Sequence, residues 1–271
     1  MFPTPLAWAA TYDPGLIEAM AAAIGAGMRD AGVHQGLAPV LDVVRDHRWG
    51  RVEETLGEDP YLAGIIGSAY VRGLQAAGVT ATLKHFAGYS ASQAGRNHAP
   101  VHMGPRELRE VMLPPFEMAL EAGAGSVMTC YAEIDGIPAT ANSHLLTRVL
   151  RDEQGFAGTT VSDYWAIAFL EATQHIAATP AAAAALALRA GVDVELPDTR
   201  CYACHRSRVR GETIRRNWRS WPPGSRRASA ARTAVVPLPS GSRAGRAARL
   251  LCPLFGLLHG DYQRVSGQWR T

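Results

Sequence analysis

The sequence predicts an α/β fold, a parallel sheet covered by helices, and three observations carry that prediction. Helix and strand signals alternate from Asp13 to Leu196. Polar residues collect where apolar runs end, at Asp42, Lys84-His85, Tyr131 and Asp163, and the strand C-termini are where a (β/α) barrel carries its active site. No glycine-rich phosphate loop follows any of the runs, which weakens the nucleotide-binding form of a doubly wound sheet. The spacing suits either a barrel or a doubly wound sheet.

The elements follow in chain order. Asp13-Pro14 is a cap followed by proline at the first helical position, and the helix runs to about Asp30, where Gly32 closes it. His34 to Val43 reads as a strand whose apolar run ends at Asp42. Asp59-Pro60 repeats the cap and opens a helix through Gln75. Val79 to Phe86 is a short β-rich run. Glu107 to Glu121 is amphipathic, with Pro114-Pro115 kinking it or splitting it in two. Ser126 to Tyr131 is a buried-type strand, and Ser143 is expected to cap a helix through Asp152. Thr159 to Asp163 is a strand, a helix follows, and Val192 to Leu196 is another strand.

The chain has 271 residues, of which 47% are hydrophobic, enough for one large domain or two small ones with a real core. No apolar run is long enough for a membrane span, and the alanine-rich stretch Ala177–Ala190 is broken by Pro180 and Arg189. Met1 to Thr11 has no basic n-region and no cleavage-like pattern, so a cytoplasmic location is expected. The net charge of +3 hides a split: residues 1–200 hold 13 Lys+Arg against 22 Asp+Glu, whereas residues 201–271 hold 14 Arg against Glu212 and Asp261. Cys130 precedes that boundary, and Cys201, Cys204 and Cys252 follow it, which is no disulfide framework. The domains are therefore read as 1–200, an α/β body, and 201–271, a basic low-order tail.

Three segments have the chemistry of a sugar site, and each also has a plainer reading. In Val161-Ser162-Asp163-Tyr164-Trp165 a carboxylate at a strand end is flanked by rings that stack on pyranose faces; the plainer reading is that Asp163 caps the next helix. Lys84-His85-Phe86 places donors at a strand end, and Lys84 is the only lysine in the chain, a point charge where arginine is otherwise used; the alternative is a structural pair with a carboxylate. Arg48-Trp49-Gly50-Arg51 precedes Glu53, Glu54, Glu58 and Asp59, and here the alternative is that Asp59 caps a helix while the glutamates neutralise the arginines.

These segments resemble the N-terminal domain of family 3 glycoside hydrolases, the β-glucosidase and β-xylosidase group. The strings are Leu37-Ala38-Pro39-Val40-Leu41-Asp42-Val43, Arg48-Trp49-Gly50-Arg51, Gly57-Glu58-Asp59-Pro60, Lys84-His85-Phe86-Ala87-Gly88-Tyr89 and Val161-Ser162-Asp163-Tyr164, in the family's order and spacing from about Phe2 to Tyr202. The resemblance implies a partial (β/α)8 barrel of the TIM type and hydrolysis of terminal β-D-glycosides with retention. It implies Asp163 as the catalytic nucleophile, and Arg51, Lys84, His85 and Tyr131 as substrate-binding residues. A β-glycoside or oligosaccharide is the implied partner, with no metal and no organic cofactor. Family members begin earlier, with a first barrel strand and a sugar-gripping acidic residue, and most place the acid/base in a second domain, so the match reads as truncated at both ends. A single-domain branch instead uses an Asp-x-His pair, and here that loop reads Arg96-Asn97-His98. If an acid is present, Glu133, Asp135 and Glu195 are the candidates. Activity of this chain alone is therefore in doubt, and an inactive, sugar-binding barrel or completion by another chain are the other readings.

The tail contains two traps. Cys201-Tyr202-Ala203-Cys204-His205 matches the c-type haem attachment pattern, but the surroundings are not those of a cytochrome. The arginines, interleaved with Trp218, Trp221 and Trp269, fit nucleic-acid binding through phosphates. The favoured reading is a shifted frame, because GC-rich coding DNA read out of frame yields Arg, Ala, Pro, Gly and Ser with little Lys.

Overall fold

A computed structural model describes residues 2–208 of the chain. The readings made for the tail beyond residue 208, a shifted frame or nucleic-acid binding, fall outside the described residues.

The first half is built from two capped helices. After α1 (Pro5–Ala9), α2 (Pro14–Asp30) starts where Asp13 accepts from Leu16 N at 3.0 Å. A two-residue strand β1 (Gln35–Gly36) and a long loop lead to α3 (Pro60–Ala76), started by Asp59 accepting from Leu62 N at 2.7 Å. Such caps contribute about 1 kcal/mol each and fix where the chain turns in. β2 (Thr80–Phe86) is followed by α4 (Pro105–Glu107), which widens into a π turn at Leu108–Met112 before α5 (Pro114–Glu121). The Pro114-Pro115 pair therefore splits the amphipathic segment, because proline offers no N–H to the turn before it.

The second half continues the alternation. β3 (Ser126–Thr129) is followed by a short antiparallel pair, β4 (Glu133–Ile134) and β5 (Ile137–Pro138), turning at Asp135-Gly136 with φ of 48° and 85°. A π-type helix, His144–Glu153, leads to β6 (Thr159–Val161), then α6 (Ala166–Ala172), α7 (Pro180–Ala190) and α8 (Arg200–Arg208). Among the described residues no helix is long and apolar enough to cross a membrane.

The sheet order is β1-β2-β3-β6, and every neighbouring pair is parallel. Val194 extends the order by a parallel bridge to Val161. Strand order thus follows chain order with no reversal, so there is no topological switch point; this is the wall of a (β/α) barrel and not a doubly wound sheet. Helices α3 and α5 pack against β2. Phe86 and Phe116 meet edge to face at 5.1 Å, joining β2 to α5 in the core.

Four expectations need correction. The strand expected over His34–Val43 is interrupted: only Gln35–Gly36 pairs as a strand, and Val40 then bridges Lys84. Pro39 has no N–H to give the ladder; its carbonyl accepts from Lys84 N at 3.1 Å instead. Val192–Leu196 is likewise a bridge and not a full strand. Ser143 does not cap the following helix; its backbone is already helical, and Asn142 accepts from Leu145 N at 3.0 Å in its place. Order also extends beyond residue 200, because α8 is regular, Cys201 is buried and the Tyr202 hydroxyl donates to Val192 O at 2.8 Å.

The α2–α3 crossing depends on glycine. A Cβ on Gly73 would stand 2.1 Å from Glu18 O and 2.9 Å from Ala21 Cβ. Alanine normally improves a helix interior by about 1 kcal/mol over glycine. Here the clash is with backbone, which cannot rotate away, and overpacking of this kind costs typically 1–3 kcal/mol. Gly73→Ala should therefore lower the urea midpoint of the chain; a midpoint equal to or above wild type would show that the crossing relaxes freely.

Candidate active site

The site lies at the C-terminal ends of the parallel strands, and each functional side chain is delivered by a different segment. His85 is the penultimate residue of β2, Tyr131 lies two residues beyond β3, Asp163 two residues beyond β6, and Asp42 two residues beyond the Val40 bridge. The β2–β3–β6 register, Thr82 opposite Ser126 and Ser126 opposite Thr159, places these ends side by side.

Asp42, His85 and Asp163 form a buried row. Asp42 Oδ2 accepts from His85 backbone N–H at 3.0 Å and lies 2.7 Å from His85 Nδ1. His85 Nε2 in turn lies 3.5 Å from Asp163 Oδ2. Asp163 Oδ1 accepts from Tyr164 N at 2.7 Å, while its Oδ2 and the Oδ1 of Asp42 make no hydrogen bond. The capping reading of Asp163 does not describe this geometry: Trp165, at φ 58°, precedes α6, and Asp163 supplies its backbone carbonyl to Ala166 N. Burial raises the Asp163 carboxyl above its ordinary range, opposed by the Tyr164 amide, Arg51, Lys84 and the Tyr131 hydroxyl.

Two cations face the row. Arg51 is gripped by Glu54 through two bonds of 2.8 Å and lies over Trp49 and Tyr89, 5.9 and 5.7 Å from their ring centroids. Burial works against its charge, but Glu54 more than offsets that and holds the guanidinium protonated. Lys84 is lowered from its ordinary value by burial and by Arg51, against the pull of Asp163, Glu54 and Asp42. The two readings of the Arg48–Asp59 segment are thus compatible. Arg48 pairs with Asp46 at 2.6 Å and Asp59 caps α3, while Arg51 is both neutralised and turned to the site.

Tyr131 donates to Tyr164 O at 2.9 Å, tying the β3 end to the β6 end. Its ring meets Tyr89 and Phe169, and His98 lies 4.4 Å from it, centroid to centroid. Tyr89 is fully buried, bonds Asn97 through its hydroxyl and meets the His85 ring edge-on at 5.2 Å. Beside Asp163, Tyr164 and Trp165 remain 39% and 42% exposed, so two aromatic faces flank a buried carboxylate. Sequence reasoning placed Arg51, Lys84, His85, Tyr131 and Asp163 in one site, and the structure brings all five to one strand-end cluster. It did not assign Asp42, Glu54 or Tyr89 to the site, although Asp42 stood among the polar residues at strand ends and in a family string.

Of the carboxylates considered as an acid, Glu195 is committed elsewhere. It is buried and accepts from Cys201 N at 2.9 Å and Tyr202 N at 2.8 Å, at the start of α8. Asp135 is 3.5 Å from His102 and accepts from Met103 N, and Glu133 lies in β4.

Comparison with known proteins gives the family. The chain is 45% identical over 206 residues to a β-xylosidase of Formosa agariphila, covering 72% of this chain and 28% of that protein. It is 38% identical over 205 residues to a periplasmic β-glucosidase of Salmonella typhimurium, covering 73% of this chain and 26% of that one. The crystal structure of a β-glucosidase from Listeria innocua superposes with a TM-score of 0.71 at 41% identity, over 74% of this chain and 29% of that one. The chain thus spans under a third of the length of these relatives. The sequence profile of the glycosyl hydrolase family 3 N terminal domain matches residues 1–211, and the chain belongs to that family.

Proposed function

We propose that this chain carries the nucleophile side of a retaining β-glycosidase site for terminal β-D-glucosides or β-D-xylosides, with Asp163 attacking the anomeric carbon. One observation supports this most directly. Asp163 Oδ2 is a buried carboxylate oxygen with no hydrogen bond, facing an imidazole and two cations at the strand ends. A buried acceptor left unpaired is costly as structure and useful as a nucleophile. The relatives named above are β-glucosidases and a β-xylosidase, and the Listeria innocua enzyme has been seen with glucose and a mutant of it with laminaribiose.

Each neighbour has a role that its chemistry suits. Arg51, Lys84 and His85 donate to ring hydroxyls, and Lys84 and Arg51 favour the ionised form of Asp163. Tyr131 holds the Tyr164 carbonyl, and so the loop that presents Asp163. Tyr164 and Trp165 offer faces for sugar rings. Attack by Asp163 gives a glycosyl ester, and water then releases the sugar with retained configuration. The leaving oxygen needs a proton from a second carboxyl, typically about 5–5.5 Å from the nucleophile in retaining enzymes. Among the described residues Asp42 is the carboxylate nearest in the row, but it is sealed behind His85, and Glu195 is bound to α8.

The purified 271-residue chain should therefore turn over an aryl β-glycoside with an acidic phenol while leaving cellobiose nearly untouched. General acid help is worth about 10²–10⁴ in rate and matters most for a strongly basic sugar alkoxide. Asp163→Ala should abolish the aryl activity. Efficient cellobiose hydrolysis by the chain alone would sink the expectation and direct mutagenesis to Glu133 and Asp135.

Arg51→Lys keeps a charge but loses the fork that Glu54 grips. It should raise KM for the aryl glycoside about tenfold, the effect of roughly one lost charge-assisted bond. Unchanged KM would remove Arg51 from the sugar-binding set.

A further inference from the structure

The row Asp42–His85–Asp163 has two gaps, the first at hydrogen-bond distance and the second a longer electrostatic approach, and a proton between the partners relieves the facing lone pairs in each. In the first, Asp42 Oδ2 and His85 Nδ1 are 2.7 Å apart; in the second, His85 Nε2 and Asp163 Oδ2 are 3.5 Å apart. A neutral imidazole has one N–H and one lone pair, and a carboxylate is an acceptor only. A neutral ring between two ionised carboxylates therefore leaves a lone pair facing an anion on one side. Two protons shared by the three groups remove that conflict. The proton in the first gap sits on Nδ1 or on Asp42 without breaking the bond, and in both cases the second proton is on Nε2, donated toward Asp163.

Charge balance requires the same count. With two protons the row carries a single negative charge. With Arg51 and Lys84 protonated and Glu54, paired with Arg51, ionised, the cluster then sums to zero. Buried charge without compensation is strongly unfavourable, and this is the count that avoids it. The other titratable groups facing the row, Tyr89 edge-on to His85, Tyr131 beside Asp163 and the Cys130 thiol close to both carboxylates, are neutral, each raised by burial.

We propose that Asp42 is a positioning residue for the reaction: by holding one of the row's two protons against Nδ1, it lets His85 keep the other on Nε2 and leaves Asp163 ionised for attack. This rests on Asp163 being the nucleophile. Asp42 touches no sugar; its place is behind the ring, with both carboxyl oxygens buried. Burial pushes the Asp42 carboxyl up to about 7, while burial, Arg51 and Lys84 disfavour an imidazolium. Both effects favour the first proton on Asp42 and the neutral Nε2–H ring.

An asparagine at position 42 breaks the arrangement in a defined way. The atom that bonds Nδ1 also accepts the His85 backbone N–H, so the amide would present its oxygen there. An amide oxygen takes a hydrogen bond but holds no proton, so Nδ1 must carry the hydrogen and Nε2 becomes a lone pair. The second gap then fills only if Asp163 is protonated. The expected sign is diagnostic: deleting a neighbouring negative charge by itself lowers a carboxyl pKa, whereas this relay raises it.

The test is a nuclear magnetic resonance titration of the full chain labelled with ¹⁵N-histidine and ¹³Cγ-aspartate, with His85 and Asp163 assigned by substitution. Wild type at neutral pH should show Nε2 protonated and Asp163 ionised. Asp42→Asn should show the Nδ1–H tautomer and an Asp163 midpoint raised by about one unit, read in kinetics as a loss of aryl-glycoside kcat/KM that approaches roughly tenfold below the wild-type midpoint and closes as pH rises. An unchanged or lowered midpoint, a loss independent of pH, or a wild-type Nε2 without a proton would overturn the proposal. If Asp42→Asn does not fold, the wild-type Nε2 signal decides alone. Should Asp163→Ala retain hydrolysis while the Asp42–Asp163 coupling is present, the nucleophile reading fails and the coupling stands.

Discussion

Parallel pairing in chain order is the constraint on which the site depends. Because β1, β2, β3 and β6 all run the same way and sit in sequence order, their C-terminal ends form one rim. From the row Thr82–Ser126–Thr159, His85 is three residues on, Asp163 four and Tyr131 five. Residues 32 or more positions apart in the chain become neighbours only through that shared register. A one-residue slip of β2 would turn His85 away from the rim and exchange it with a neighbour of opposite facing. The hydrophobic faces under α3 and α5 hold the register by burial, with Leu83, Phe86 and Phe116 all in the core.

That rim is dry, and dryness shapes its chemistry. Asp42, His85, Lys84 and Asp163 are all displaced toward their neutral forms by burial; Arg51 and Lys84 oppose that for the two aspartates and reinforce it for His85, while at Lys84 the carboxylates oppose it and Arg51 reinforces it. Arg51 is the exception, kept charged by the two-bond grip of Glu54. A cluster of this kind titrates as a unit. Ionisation of Asp163 therefore depends on the whole cluster and not on Asp163 alone.

Helix boundaries were legible in the sequence wherever the signal was local. Asp13-Pro14 and Asp59-Pro60 open α2 and α3 as expected, because a cap needs only a short side chain and an amide three residues on. Pro114-Pro115 divides its segment for an equally local reason. Strand boundaries were less legible. Pro39 interrupts the ladder of the first strand, and the run after Ala190 pairs at Val194 alone. Ser143 was a plausible cap by type, yet Asn142, one residue earlier, took the role. Propensity does not distinguish adjacent cap-formers; the direction of the incoming chain does.

The site was legible as a set of residues and not as a set of bonds. Arg51, Lys84, His85, Tyr131 and Asp163 stand in motifs whose order and spacing mark the family, so the sequence alone determined the fold class and pointed to these five as neighbours, without Asp42, Glu54 or Tyr89. Only the tertiary structure decided that Asp42 lies behind His85 across a separation of 43 residues, or that Glu195 is spent on the amides of α8 and is not free for proton transfer. The reason is physical. A helix cap or a β-rich run is decided by groups a few bonds apart, whereas the partner of a buried charge is decided by which distant groups the packed strands leave within 3 Å of it, where unpaired charge is not tolerated.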